Sequence, residues 1–387
     1  MYVALLGRQP ALGIAELERV FGGSSVTPLS NLAATIDTNS LEIQKLGGAL
    51  KAGIVTIEIT SGDWRKVNQK IVQHYTAAWD RHEGKITLGL SAYGFDIDPR
   101  EVQKIGLTLK QRLKRSGVSL RLVPNQDAAL STATSHHNKL GLAANKVELF
   151  IIRGKNGKIT IAESTGAQNI TAYTKRDQER PKRDAFVGML PPKLAQIMIN
   201  LAHPATDSRV LDPFCGTGVI LQEAALMHYG VYGTDLADKM VRYSRDNLEW
   251  LADSHRIHFD FVVESGDAMN TQWQQPIGAV VAETYLGQPF SAPPSPSKLA
   301  EVQKNCNHIL TEFLKNLSPQ VPSGTPVCIA IPAWRSKEGT FSHLPLTETI
   351  AQLGFKPHEF HNVSQNNLLY FREDQVVARE LLVLTKI

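Results

Sequence analysis

Residues 209–218 read Arg-Val-Leu-Asp-Pro-Phe-Cys-Gly-Thr-Gly, and this stretch decides the fold of the second half of the chain. A short apolar run ends at the carboxylate of Asp212, a turn containing Gly216 and Gly218 follows, and an amphipathic helix is predicted from about Val219. Glycine lets a backbone approach a ligand closely, and the free N–H groups of a helix start favour an electron-rich partner. The stretch therefore predicts a strand, turn and helix that form one half of a ligand site.

From about residue 185 the pattern alternates between helix and strand, which is typical of an α/β fold with a parallel sheet covered on both faces. Helices are predicted at about 218–228, 237–253 and 297–317. Strands are predicted near 208–212, 230–234, 259–263, 277–282 and 325–331. Two further strands, near 357–363 and 376–384, lie close together in the sequence. We expect these two to form an antiparallel pair at one edge of a doubly wound sheet.

Acidic residues follow successive predicted strands at the ends where such sheets bind ligands. Asp235 lies about twenty residues beyond the glycine turn, the spacing of an acid that binds ribose hydroxyls. Asp267 is placed to accept from an adenine amino group, and Asp212 to hold the amino-acid end of S-adenosylmethionine (AdoMet). Each acid could instead cap the next helix. The predicted cofactor-binding residues are Asp212, Pro213, Phe214, Gly216, Thr217, Gly218, Asp235, Leu236, Asp267 and Ala268.

The glycine turn itself favours AdoMet over other nucleotides. NAD enzymes prefer three spaced glycines at the first turn, whereas here Cys215 and Thr217 flank Gly216 and Val219 follows the second glycine. No Gly-Lys-Ser/Thr string is present, which excludes a P-loop. The three cysteines, Cys215, Cys306 and Cys328, have no paired-ligand spacing. We therefore predict reduced thiols in a cytoplasmic protein, with no metal site and no membrane segment.

Charge is divided unevenly along the chain. Up to Asp184 there are 26 Lys and Arg residues against 17 Asp and Glu residues, and from Ala185 onward there are 15 against 20. A basic first half and an acidic second half suggest a polyanion for the first and a small ligand for the second, although a solvated basic face would look the same. The predicted RNA-binding residues are Arg121, Lys139, Lys175, Arg176, Arg180, Lys182 and Arg183.

The chain resembles the THUMP-domain RNA methyltransferases over nearly its full length. The motifs that carry this resemblance are Arg180–Asp184, Gly188–Gln196, Asp212–Gly218 and the acids Asp235 and Asp267. The greatest similarity is to the archaeal-eukaryotic group that methylates the exocyclic N2 amine of a tRNA guanosine. The resemblance implies an α/β architecture in which a ferredoxin-like plus THUMP module precedes a Rossmann-like AdoMet-dependent methyltransferase domain.

The resemblance also implies boundaries and partners. We predict an N-terminal ferredoxin-like segment at 1–60, a THUMP RNA-binding domain at 61–165, a basic linker at 166–184 and the methyltransferase domain at 185–387. In that family the equivalent of Gly188–Gln196 packs beside the methionine end of AdoMet, and the THUMP region grips the tRNA acceptor end. The expected partner is tRNA. We expect a monomer, and the need for a small accessory subunit stays open.

The fourth motif departs from the family pattern. Amino-group methyltransferases normally carry Asp/Asn-Pro-Pro-Tyr/Phe at this strand end, but here the residues are Glu283-Thr284-Tyr285-Leu286. Glu283 can replace the carboxylate, and Tyr285 could stack on the target base. Both prolines are missing, which is expected to loosen the backbone at this strand end. Glu283 and Tyr285 are the predicted catalytic residues.

Several functions remain compatible with this departure. The main prediction is a variant N-methyltransferase that uses Glu283 and Tyr285. Methylation of a different RNA atom is one alternative, and an RNA-binding protein that keeps AdoMet without methylating an amine is another. A tRNA-binding chaperone or scaffold would bind tRNA without methyl transfer. A DNA amine methyltransferase shares the catalytic fold, but the THUMP-like segment and the basic connector argue against it.

Overall fold

The computed structural model describes residues 1–184 and 190–387. The described chain forms two compact units. The N-terminal unit comprises Met1–Leu17 and Phe21–Ala172, and the C-terminal unit comprises Glu18–Val20 and Tyr173–Ile387. None of the helices in the described residues is both long enough and apolar enough to cross a lipid bilayer.

The N-terminal unit is built on one mixed sheet. The strands are β1 (Tyr2–Leu6), β2 (Val26–Ser30), β3 (Ala33–Ile36), β4 (Ala49–Ile59), β5 (Lys85–Tyr93), β6 (Ser119–Leu122), β7 (Lys146–Arg153) and β8 (Ile159–Ala167). The helices along this part of the chain are α1 (Pro10–Phe21), α2 (Trp64–Ala78), α3 (Pro99–Arg115) and α4 (Thr132–His137). The strand order in the described residues is β2-β3-β1-β4-β8-β7-β5-β6. Because β4 pairs with β8, the predicted segments 1–60 and 61–165 share this sheet.

The helix α3 separates an apolar stripe from basic side chains. Asp98 caps the helix by accepting a hydrogen bond from the N–H of Arg100 at 2.7 Å, and Pro99 takes the first helical position, where no N–H is needed. One stripe of the helix packs into the core of the unit. That stripe consists of Val102, Ile105, Leu109 and Leu113. The basic side chains of the helix are exposed: Lys104, Lys110, Arg112, Lys114 and Arg115.

The C-terminal unit is built on a second, largely parallel sheet. The strands are β9 (Arg209–Asp212), β10 (Gly230–Asp235), β11 (Phe261–Ser265), β12 (Ala279–Glu283), β13 (Pro326–Arg335), β14 (Phe341–Ser342), β15 (Phe355–Pro357), β16 (Leu369–Tyr370) and β17 (Val377–Lys386). The helices along this part of the chain are α5 (Ile170–Gln178), α6 (Pro192–Ala202), α7 (Val219–Leu226), α8 (Asp238–His255) and α9 (Pro296–Leu317).

The order of the strands creates a crevice beside β9. The main path runs β11-β10-β9-β12-β13-β17-β15, with β9 to β13 parallel and β17 antiparallel to β13. The chain leaves β9 towards β10 and β11 on one side and later adds β12 and β13 on the other. Such a reversal is where open α/β sheets bind their ligands, outside the carboxyl ends of the strands. The fold therefore places its crevice at the ends of β9, β10 and β12.

Two details of this unit differ from the sequence prediction. The strand expected at 357–363 is β15, which covers only Phe355–Pro357, although it does pair antiparallel with β17 as expected. The segment expected to be a basic linker, 166–184, contains the helix α5. Part of the segment is buried, because the side chain of Arg180 has no exposed surface. The guanidinium of Arg180 lies 3.7 Å from Oδ1 of Asp177 on α5.

Candidate active site

A cavity of about 540 Å³ opens at the carboxyl ends of the parallel strands of the C-terminal unit. It is lined by residues that follow β9, β10, β11 and β12. Eleven of the twelve residues predicted for cofactor binding or catalysis line it: Asp212, Pro213, Phe214, Gly216, Thr217, Asp235, Leu236, Asp267, Ala268, Glu283 and Tyr285. Residues outside those twelve also line it, some of them within the motifs that carry the resemblance: Leu190, Cys215, Val219, Ile220, Gly266, Met269, Thr284, Leu286, Gly287 and Ile309.

The turn after β9 is held by its own backbone. The carboxylate of Asp212 is buried and accepts the N–H of Phe214 at 3.1 Å. The N–H of Cys215 donates to the carbonyl oxygen of Thr234 at 2.9 Å, which fastens the turn to β10. Burial raises the pKa of the Asp212 carboxyl well above its ordinary value, and the nearby carboxylates of Asp235 and Glu283 raise it further. A cation in the cavity would therefore relieve an electrostatic cost at this carboxylate.

Gly218 also has a structural role at the start of α7. It caps α7 with a φ of 79°, in the left-handed region that favours glycine, and it is not among the residues that line the cavity. A Cβ added at Gly218 would lie 2.4 Å from Oγ of Ser244 on α8. The backbone turn and the helix packing therefore favour glycine at this position, and contact between Gly218 and the cofactor stays a prediction. Gly216, with a φ of 51°, does line the cavity.

Replacing Gly218 with Ala is expected to lower the free energy of unfolding by about 2–4 kcal/mol, from the left-handed backbone together with the clash at Ser244. Urea unfolding without ligand measures this. Gly230→Ala is the matched control, because a Cβ there would meet no atom closer than 3.9 Å. Adding Ser244→Ala should recover the part of the loss that is due to the clash. An unchanged stability combined with weakened ligand binding would instead favour the ligand-contact role.

Two of the strand-end acids bind backbone groups of the loops around them. Oδ2 of Asp235 accepts the N–H of Gly216 at 2.9 Å, and Oδ1 accepts the N–H of Ala237 at 2.9 Å. Oδ1 of Asp267 accepts the N–H of Met269 at 3.0 Å. None of these bonds caps a helix, because α8 begins after Ala237 without a side-chain cap and Asp267 binds a turn, and both acids line the cavity. Each carboxylate oxygen has a second lone pair, so these bonds leave capacity for a ligand.

The strand end that carries the altered fourth motif is well anchored. The N–H of Thr284 donates to the carbonyl oxygen of Ala330 on β13 at 3.0 Å, and the Thr284 hydroxyl donates to the same oxygen at 2.8 Å. A proline at this position could not make the first of these bonds. The expectation of a loosened backbone is therefore wrong. Tyr285 follows at the rim, with 42% of its surface exposed.

Glu283 is paired with a cation that the sequence did not reveal. Nε of Arg379 on β17 donates to Oε1 of Glu283, with side chains only 10% and 15% exposed. Burial raises the pKa of the Glu283 carboxyl, and the charge and hydrogen bond of Arg379 oppose that rise. The two residues are 96 positions apart, and their pairing depends on the final strand reversal. The one signal in the sequence was the position of Arg379 within the largely apolar pattern of β17, where a charged residue needs a partner.

Two of the residues predicted to bind RNA lie in the N-terminal unit. Arg121 on β6 and Lys139 after α4 are exposed, and Nη2 of Arg121 donates to Oδ1 of Asn138 at 3.4 Å. Arg121 and Asn138 contribute to a cavity of about 290 Å³ together with the loop that follows β6. Both basic side chains are therefore open to solvent, as an RNA contact requires.

The connector residues divide into exposed and buried groups. Lys175 and Arg183 are exposed, and Lys182 is partly exposed and lies 3.4 Å from Asp246. Arg176 and Arg180 are different, because Arg176 is paired with the buried carboxylate of Glu223 on α7, and Arg180 is itself buried and lies 3.7 Å from Asp177. This finding corrects the prediction that Arg176 and Arg180 bind RNA phosphates.

The buried carboxylate of Glu223 is paired with Arg176. Nε and Nη2 of Arg176 donate to the two oxygens of Glu223 at 2.6 and 3.2 Å. Burial raises the pKa of the Glu223 carboxyl, whereas the positive charges of Arg176 and Arg180 oppose that rise. A buried carboxylate is costly without such partners. The sequence did not show this, because the helix was expected to be amphipathic, whereas Val219–Ala225 are all buried in the structure and Glu223 is one of them.

The motif Gly188–Gln196 is only partly described. Gly188 and Met189 lie outside the described residues, whereas Leu190 lines the cavity and Gln196 is buried in α6. The hydroxyl of Tyr173 donates to Oε1 of Gln196. In the described residues, no group of His, Cys, Asp or Glu side chains is arranged to hold a metal ion. The three cysteines are buried free thiols.

Known proteins resemble the chain in sequence and in fold. A family model described as UPF0020, the RMKL-like methyltransferase domain, matches residues 180–284. The crystal structure of TrmN from Thermus thermophilus has a TM-score of 0.54 and 18% identity, and the match covers 100% of this chain and 99% of that one. The crystal structure of SMU.472 complexed with SAH has a TM-score of 0.50 and 11% identity over 98% and 97% of the two chains.

The fold is that of a Rossmann-like methyltransferase. The predicted α/β class is thereby confirmed. The tRNA (guanine(10)-N2)-dimethyltransferase of Methanothermobacter thermautotrophicus is 32% identical over 164 residues. These residues are 42% of this chain, and the chain spans 45% of the length of that curated relative. The sequence match therefore covers somewhat under half of either protein.

Proposed function

We propose that this chain is an AdoMet-dependent tRNA methyltransferase that modifies the exocyclic N2 amine of a guanosine. The observation that carries the proposal is the single cavity that brings the strand-end acids Asp212, Asp235 and Asp267 together with Glu283 and Tyr285. The sequence likeness to a tRNA (guanine(10)-N2)-dimethyltransferase supports the choice of substrate.

The residues around the cavity fit AdoMet. A volume of about 540 Å³ is in the range of small-molecule sites. AdoMet presents mostly donors and positive charge: ribose hydroxyls, an adenine amino group, an ammonium group and a sulfonium. The cavity is lined by carboxylates that can accept these donors and offset the positive charge. One of them, Asp212, is buried, and burial is the main cause of its raised pKa. We assign the ribose to Asp235, the adenine amine to Asp267 and the amino-acid end to Asp212.

When bound, AdoMet supplies an activated methyl group on a sulfonium, so this chain has to align the target more than to activate it. Glu283 accepts a hydrogen bond from the target amine and thereby orients its lone pair. The surplus amine proton leaves late, to the Glu283 carboxylate or to water. Tyr285, at the rim, offers a ring on which a flipped base can stack. Backbone anchoring at Thr284 keeps both groups in position.

The N-terminal unit is proposed to deliver the RNA. The finer assignments are a ferredoxin-like segment at 1–60, a THUMP domain at 61–165 and a connector at 166–184 that leads to the methyltransferase domain at 185–387. Exposed basic residues support electrostatic, salt-sensitive binding to phosphates. After the correction above, the proposed contacts are Arg121, Lys139, Lys175, Lys182 and Arg183. We also propose that the protein is cytoplasmic and monomeric. Whether it needs an accessory subunit is tested below.

Incubation of the protein with AdoMet and unmodified tRNA is expected to produce N2-methylguanosine or its dimethyl form, detected by nucleoside mass spectrometry. Duplex DNA should neither compete for binding nor be methylated. The same reaction, repeated with a protein fraction that contains a candidate accessory subunit, shows whether a second subunit is needed for activity. tRNA that remains unmethylated under all these conditions, with AdoMet bound, would contradict the proposed activity.

One observation favours a second candidate function. Because Oε1 of Glu283 is paired with Arg379, only Oε2 of this carboxylate remains to accept a hydrogen bond from a target amine. That arrangement suits methylation of a different RNA atom, or AdoMet-dependent RNA binding without amine methylation. Chromatography before the nucleoside mass spectrometry distinguishes these functions. A methyl group on another atom changes the retention time of the nucleoside, and RNA binding without methylation leaves the nucleosides unmodified.

A further inference from the structure

The ion pair at the end of β12 crosses an entire strand. Glu283 ends β12 and is aligned with Ala330 on β13, whereas Arg379 lies on β17 and is aligned with Pro332 on β13. The two side chains therefore meet over β13. Ala330 contributes only a methyl group there, which leaves space for a long guanidinium side chain and a glutamate to meet.

Strand alternation fixes the face on which this pair lies. Ala282, Ile329 and Ile331 belong to the apolar cluster that includes Phe313 of α9. Successive side chains of a strand point to opposite faces. Glu283 follows Ala282 and is therefore on the face away from α9. A polar pair placed on the α9 side would have to be buried among aromatic and aliphatic side chains, at a high desolvation cost.

The charges around Glu283 come from two directions. Arg379 faces it from β17, and Asp212 lies close enough on β9 for the Glu283 charge to raise its pKa. Two carboxylates near one another disfavour each other's ionised form, and burial adds to that effect. At Glu283, burial raises the pKa of the carboxyl, and the charge and hydrogen bond of Arg379 oppose that rise. Within the described residues, Oε1 of Glu283 has a partner and Oε2 accepts no hydrogen bond.

We propose that Arg379 is a positioning residue that holds Glu283 ionised and oriented, with Oε1 occupied and Oε2 left to accept the target amine. This inference rests on the proposed N2 methylation. As the bond between N2 and the methyl carbon forms, the bond between that carbon and sulfur breaks and its electron pair remains on sulfur. One N2 proton then leaves to Oε2 of Glu283 or to water. Arg379 touches neither the methyl group nor the base.

This arrangement accounts for the altered fourth motif. The usual motif fixes its short acid through two prolines, whereas this chain has a longer acid and no proline after it. A glutamate side chain has one more rotatable bond than aspartate, so it needs an additional restraint to present one oxygen reproducibly. Arg379 supplies that restraint from β17, and Thr284 anchors the backbone to the neighbouring strand, β13.

Arg379→Met, which removes the charge and keeps most of the length, is expected to lower kcat about 10- to 100-fold with little change in AdoMet affinity. The acidic limb of the pH–rate profile should move to higher pH by about one unit or more, because Glu283 must be ionised to act and has lost its counter-charge. Arg379→Lys should restore most of the pH midpoint and only part of kcat, since lysine lacks the planar guanidinium.

Carboxyl-carbon NMR of the glutamate-labelled protein provides a second readout that needs no turnover. The Glu283 signal, assigned by its loss in Glu283→Gln, should titrate at higher pH in Arg379→Met than in the unaltered protein. Arg209→Met is the matched control. Arg209 lies at the opposite end of the sheet, where it donates to the carbonyl oxygen of Pro276 at 2.9 Å. It should affect stability without moving either pH midpoint.

The outcomes separate the two proposals. If the unaltered protein transfers no methyl group to tRNA, the proposed function fails, whatever the NMR titration shows. If the unaltered protein is active but Arg379→Met leaves both the pH profile and the Glu283 titration unchanged, the positioning role is wrong. Glu283→Gln combined with Arg379→Met should be no slower than Glu283→Gln alone, because the role of Arg379 acts through Glu283. Additive losses would contradict that dependence.

Discussion

Replacing Glu283 with Gln is expected to lower kcat for tRNA methylation by roughly 10²–10⁴-fold, the range for loss of a positioned proton acceptor. The amine of a guanine is a weak nucleophile, because its lone pair is delocalised into the ring. A carboxylate that accepts a hydrogen bond from one N–H increases the electron density on the nitrogen. The same bond orients the amine so that its lone pair points towards the methyl donor. Glutamine keeps the size of the side chain and one acceptor oxygen but removes the negative charge.

The affinity for AdoMet should change by no more than about threefold in Glu283→Gln, because the assigned cofactor contacts lie on other strands. Calorimetry with AdoMet measures this, and single-turnover methylation of tRNA measures the chemical step. Glu264→Gln is a suitable control, since Glu264 is a glutamate of the same sheet, bonded to the hydroxyl of Tyr232 and not among the residues that line the cavity. A fully active Glu283→Gln protein would end the assignment of Glu283 as the amine acceptor.

The second half of the fold was predictable because its signals are local. A strand, a glycine turn and an amphipathic helix follow one another within Arg209–Leu226, and each can be recognised in a short window. The acids at the strand ends were predictable for the same reason, since a parallel sheet brings all its carboxyl ends to one edge. The extent of β15 was not predictable from the local sequence pattern, because the strand ends where its pairing with β17 ends.

The contacts that could not be predicted depend on burial and on distant partners. Arg176 and Arg180 form part of a basic run that looks solvated, yet Arg176 is paired with a glutamate buried on α7 and Arg180 is itself buried. Gly218 looks like a ligand-facing glycine, and the sequence does not reveal that Ser244 on a later helix packs against it. The pairing of Arg379 with Glu283 was not found from the sequence, because it depends on β17 running antiparallel to β13. Sequence windows carry no information about contacts of this range.

Replacing Asp235 with Ala is expected to weaken AdoMet binding by about 10²–10³-fold, since a hydrogen bond to a charged group contributes about 1.5–3 kcal/mol and a ribose offers two hydroxyls. Part of any loss will come from the protein itself. Asp235 also accepts the N–H groups of Gly216 and Ala237, so the turn beneath the cavity loses two bonds in the variant. Affinity for AdoMet alone therefore cannot assign the ribose contact.

A comparison of two ligands separates these contributions. S-adenosylhomocysteine and its 2′,3′-dideoxy analogue differ only in the ribose hydroxyls. The unaltered protein should bind the hydroxylated ligand much more tightly, and Asp235→Ala should bind the two about equally. Asp238→Ala, which removes a nearby exposed acid that does not line the cavity, should keep the full preference. If Asp235→Ala weakens both ligands by the same factor and keeps the preference, Asp235 supports the turn only, and the ribose acceptor must be sought elsewhere in the cavity.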